Sequence, residues 1–97
     1  MFNIVVVLTV KSENDIGFIA GCLKKCSEIT LREEPGCRKF EVYHSEANSS
    51  VFILCEEWER KEDWEEHRQK RAFQEIYLPK VLPLVERVPH ISKRIAG

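Results

Sequence analysis

No stretch of this 97-residue chain is apolar over anything near the roughly 18 residues that a membrane span needs. Ile4 to Val10 is only strand length. No basic region precedes it and no cleavage site follows, so no signal peptide is expected. There is no Cys-x-x-Cys pair. The four cysteines stand at 22, 26, 37 and 55, and no histidine lies at zinc-ligand spacing from any of them. Reduced, mostly buried thiols in a cytoplasmic protein are therefore expected, with no metal site. Positive charge is not clustered. Lys and Arg are spread along a chain of net charge −1, which argues against a nucleic-acid partner. A glycine-rich nucleotide loop is absent, as are repeats, low-complexity tracts and linkers.

What is present suits one soluble domain over 1–97, with a core from about 3 to 95. The sequence is 43% hydrophobic and 32% charged. A chain this short buries a modest fraction of its surface, so association is a natural source of further burial. Asn3 to Val10 reads as a central strand, apolar without alternation. Ser12 or Asn14 can cap a helix running from about Asp15 to Arg32. Its apolar stripe is Ile16, Ile19, Leu23, Cys26 and Ile29 or Thr30, widened by Phe18 and Cys22. Gly17 and Gly21 suggest a close approach of that helix to a sheet. Glu34-Pro35-Gly36 ends it.

Cys37 to His44 and Val51 to Trp58 are strands joined by a polar connection that suits a hairpin. Lys61 to about Leu82 is helical in two pieces, because Pro79 cannot continue an unbroken helix. Leu84 to Ile95 is a last strand, and Pro89 places it at an edge or a bulge. The order β-α-β-β-α-β is the split βαβ plan, a ferredoxin-like α+β fold with helices on one face of an antiparallel sheet. Nothing in the chain covers the other sheet face. A second copy packed face to face, in a homodimer, would cover it.

One stretch, Phe52 to Tyr77, concentrates the chemistry. Phe52, Leu54, Glu56 and Trp58 share a strand face, and a carboxylate on an apolar face is unusual. Trp64 and His67 are three apart on a helix, and Phe73 and Tyr77 continue the aromatic series. These side chains are candidates to line one cavity between sheet and helices, against the simpler expectation that buried aromatics only pack. His67, Glu56 and Tyr77 are the candidate proton-handling groups. Trp58, Trp64, Phe73 and Phe52 are the candidate substrate-binding groups. Asp63, four residues before His67, is a candidate partner for its ring. His44 is expected to be exposed and His90 structural or interfacial. Tyr43 lies opposite Phe40 and Val42, and alternation leaves open which face meets the helices.

Three segments carry a family resemblance: Arg32-Glu33-Glu34-Pro35-Gly36-Cys37, Glu56-x-Trp58, and Trp64-x-x-His67 followed by Phe73. In that order the chain resembles the antibiotic biosynthesis monooxygenase domain of the dimeric α+β barrel superfamily. The resemblance implies a homodimer whose two sheets form a barrel, with a pocket between sheet and helices in each subunit. Several members oxidise quinols or polycyclic phenols with O2 and no cofactor. Such a protein binds the ring, removes a proton and stabilises the anion, which itself reduces oxygen. A haem-degrading branch uses a Trp on the second helix and an iron-ligating His further on. Here those positions hold His67 and Tyr77, which places the chain outside that branch. A branch that processes phosphorylated sugars would need clustered basic residues, whereas Arg68 and Arg71 are expected to face solvent. The expectation is a cofactor-independent monooxygenase of a small aromatic or quinol-like molecule. A small-metabolite isomerase and a non-catalytic ligand-binding or stress-related domain are the alternatives.

Overall fold

A computed structural model describes residues 1–97. β1 (Phe2–Val10) lies between β3 (Val51–Trp58) and β4 (Val85–Ser92), and β2 (Cys37–His44) flanks β3 at the far edge. Every pairing is antiparallel, and Val6 of β1 stands opposite Leu54 on one side and Pro89 on the other. The order β2-β3-β1-β4 is that of the ferredoxin-like α+β fold. β1 is central, as its unbroken apolar run predicts. β4 is an edge strand, where Pro89 lacks an N–H at no cost to a neighbour. It ends at Ser92, short of the expected Ile95.

The sheet's two faces differ sharply. Ile4, Val6, Leu8 and Val10 of β1 and Phe52, Leu54, Glu56 and Trp58 of β3 are buried beneath the helices. Val5, Val7, Ile53 and Cys55 point the other way and are only half covered. Tyr43 belongs to that outer face and is exposed. Its hydroxyl donates to Glu41, and Lys39, Glu41, Glu57 and Arg94 form an ion-pair border nearby.

α1 (Ile16–Glu33) buries Ile19, Leu23, Cys26, Ile29 and Thr30, following the three-and-four spacing of the sequence. Three expectations for it need correction. Gly17 and Gly21 face open space, so they mark no close approach to the sheet. Phe18 is 52% exposed, because it falls on the far side of the buried stripe. Neither Ser12 nor Asn14 caps with its side chain: a single 3-10 turn, closed by Asp15 N–H to Ser12 C=O at 3.0 Å, starts the helix instead.

After β3 come α2 (Lys61–His67) and α3 (Ala72–Val81), so the helical stretch is in two pieces, but the break falls at Arg68–Arg71 and not at Pro79, which lies inside α3. α3 is a π-helix. Its buried residues, Ala72, Ile76, Tyr77 and Val81, explain the form. Nine residues make two and a half α turns, which would set Ala72 and Val81 on opposite sides. With i→i+5 bonding and roughly 4.4 residues per turn they come to the same side. Packing against α1 and the sheet thus selects the wider helix.

Candidate functional site

Glu56 is 6% exposed between Leu54 and Trp58. The Trp58 indole Nε1–H donates to Glu56 Oε1 at 3.0 Å. Burial pushes the Glu56 carboxyl above the usual carboxylate range, while that hydrogen bond and the nearby His67 and Arg87 pull it back.

His67 closes the last turn of α2 and is buried. Its Nδ1 lies 2.9 Å from both carboxylate oxygens of Glu34, the residue at the C-terminal end of α1. Asp63 is therefore not its partner, as the spacing suggested. Asp63 turns toward Arg60, which donates from Nη2 to Oδ1 at 3.0 Å. A charged guanidinium three residues earlier on the exposed helix surface competes better for that carboxylate than a ring facing inward. No protein group bonds His67 Nε2. Thr30 Oγ1 is the sole enclosed side-chain nitrogen or oxygen without a partner, so Nε2 borders open space.

Tyr77 supplies a phenol from α3. The Arg87 Nε–H of β4 donates to its oxygen at 3.2 Å, which leaves the phenol's own hydrogen free to be donated. Burial pushes this phenol up to about 12, against the opposing charge of Arg87.

Glu56, Trp64, His67, Phe73 and Tyr77 line one cavity, with Phe40, Leu54, Cys26, Ala72, Arg68 and Arg87 completing the wall. The Phe73 ring meets His67 edge-on at 6.0 Å and lies 5.5 Å from Tyr77. Trp64 stacks on Phe2 at 5.0 Å, and the Arg68 guanidinium lies 5.1 Å from its ring centre. Phe52 and Trp58 are off this wall. Trp58 is fully buried behind it, 5.0 Å from the His67 ring, and Phe52 stacks on the exposed His44 at 4.2 Å. The enclosed space is about 20 Å³, room for about one water, so an aromatic ligand must displace part of the wall. No group of three His, Cys, Asp or Glu side chains converges as metal ligands, and all four cysteines are free.

Two wall or supporting groups escaped the sequence reading. Glu34 stands 33 residues from His67, beyond any helical spacing rule. Arg87 shares a face of β4 with the buried Val85, and a charge at a helix-facing strand position was the available signal, as it was for Glu56.

The antibiotic biosynthesis monooxygenase family model matches residues 1–77, and the chain belongs to that family. A search of curated proteins found no match. Among solved structures, a Nitrosomonas europaea protein assigned to the antibiotic biosynthesis monooxygenases superposes with a TM-score of 0.84 at 17% identity, covering 97% of this chain and 99% of that one. A conserved protein from Methanosarcina mazei gives 0.76 at 24% identity, over 96% and 95% of the chains. The protein Rv0793 from Mycobacterium tuberculosis gives 0.79 at 20% identity over the whole of both. At these identities the likeness establishes the fold. No helix is long and apolar enough to cross a membrane.

Proposed function

We propose that the protein is a cofactor-independent monooxygenase that oxidises a small, electron-rich aromatic or quinol-like molecule with O2. One observation carries this reading: a carboxylate-anchored imidazole and an Arg-backed phenol meet in a single aromatic-walled cavity. An apolar wall with a few convergent polar groups is the usual form of a small-molecule site. Family membership adds to it.

His67 Nε2 accepts the substrate's phenolic proton. An imidazole can take up a proton at one ring nitrogen and return it later. Tyr77 donates its hydroxyl hydrogen to the developing oxyanion, and Arg87 steadies the phenol oxygen. Phe73, Phe40 and Trp64 hold the ring. The substrate supplies all four electrons. One oxygen atom enters the ring system as a carbonyl, and the other leaves as water with two substrate hydrogens. The working unit is a homodimer in which the half-covered outer faces, with Val5, Val7 and Ile53, pack together.

Oxygen uptake with hydroquinones and anthrones is the test. Turnover is expected from protein free of flavin, haem and metal. His67→Ala should lose most turnover with the dimer intact, and His67→Gln should keep binding while losing rate. Binding of these compounds with no oxygen uptake would favour a non-catalytic ligand-binding domain instead. Near-normal rates in both variants would remove His67 from the chemistry.

A further inference from the structure

We propose that Glu34 is a positioning residue for the reaction, holding His67 as the Nδ1–H tautomer with its Nε2 lone pair presented to the cavity. This rests on His67 being the base. Both Glu34 oxygens lie 2.9 Å from Nδ1, and neither residue is more than 8% exposed. A carboxylate has no hydrogen to give, so Nδ1 must carry one, and in the neutral ring the lone pair then belongs to Nε2.

The carboxylate is on a fixed backbone. Glu34 N–H donates to Thr30 C=O at 2.9 Å, and Cys37 N–H donates to Glu34 C=O at 3.0 Å. The Pro35-Gly36 turn is tied to the end of β3 by Glu59 N–H to Gly36 C=O at 2.8 Å. α2 then seats on that turn through Asp63. A Cβ at Gly36 would stand 2.5 Å from Asp63 Cγ, so only glycine admits this approach. The turn therefore sets the distance between Glu34 and His67.

The same placement favours the charged product of proton transfer. Glu34 ends an 18-residue helix, and the unpaired carbonyls of its last turn carry partial negative charge. When His67 takes a proton at Nε2, the imidazolium faces both a carboxylate and a helix C-terminus. Solvent reorganises little around so enclosed a pair.

The experiment reads the tautomer independently of turnover. Two-bond proton–nitrogen NMR of the intact protein, with His67 assigned by comparison with His67→Gln, should show Nδ1 protonated and Nε2 bare at mildly alkaline pH. Glu34→Gln has the same shape, but its amide also offers hydrogens to Nδ1. It should mix or invert the tautomers and lower kcat about 10–100-fold with KM within about twofold, and Glu34→Asp should restore part of the rate. A wild-type His67 protonated at Nε2 overturns the proposal, as does a Glu34→Gln protein with unchanged tautomer and kcat. The Nδ1–H tautomer in wild type, lost in Glu34→Gln, beside a fully active His67→Ala, would instead sink His67 as base and leave the pair's geometry standing.

Discussion

Gly36→Ala isolates the contact that seats α2 on the turn after α1. The added Cβ would meet three Asp63 atoms, Cγ at 2.5 Å and Cβ and Oδ2 at 2.7 Å. Gly36 does not have the positive φ that would itself forbid alanine. Alanine should in fact stiffen the unfolded chain and stabilise the fold by about 0.4–1 kcal/mol. Crowding works against this, at about 1–3 kcal/mol for overpacking of this kind. The net expectation is a loss of about 1–2 kcal/mol. In a domain of this size that lowers Tm by about 4–16 °C. A double-mutant cycle with Asp63→Gly, followed by urea denaturation, separates the two effects. With all three atoms gone, Gly36→Ala should become stabilising, giving a coupling of about 1–3 kcal/mol. Asp63→Ala should rescue only partly, because its Cβ remains at 2.7 Å. Equal effects of Gly36→Ala in the wild-type and Asp63→Gly backgrounds would refute the reasoning, since the clash would then not be with this side chain.

Two other measurements test the rest. Sedimentation at micromolar concentration should find a homodimer, and Val7→Asp or Ile53→Asp, on the half-covered outer face, should dissociate or unfold it. A well-folded wild-type monomer would refute that arrangement. The second concerns alkaline stability. Tyr77 has a folded pKa raised to about 12 from 10.0, so its stabilising contribution is fully present below pH 10 and lost as pH rises toward 12. The size is roughly 2–3 kcal/mol. The buried thiols of Cys26 and Cys37, each raised from 9.0 to about 12, act in the same direction from pH 9 upward. Thermal melts should thus fall progressively above pH 9, and Tyr77→Phe should flatten the part above pH 10. A wild-type Tm constant from about pH 9 to 11 would contradict this burial.

Local pattern in the sequence determined a good deal. Alternation along Phe52–Trp58 put Glu56 on the buried face, and three-and-four spacing set which side of α1 meets the sheet. Glu34-Pro35-Gly36 closed α1. Each depends on one chain's own geometry over a few residues, which periodicity reports directly. Contacts between distant segments were decided only by the tertiary structure. The spacing on α2 offered Asp63 as the partner of His67, but the packing of α1's end against α2 supplied Glu34. Arg87 reached Tyr77 because β4 lies beside β1, a consequence of strand order and not of neighbouring residues. The π-helical winding of α3 likewise answers to the core: Pro79 by itself disfavours a regular α-helix there, but which winding replaces it is decided only when Ala72 and Val81 must face the same way.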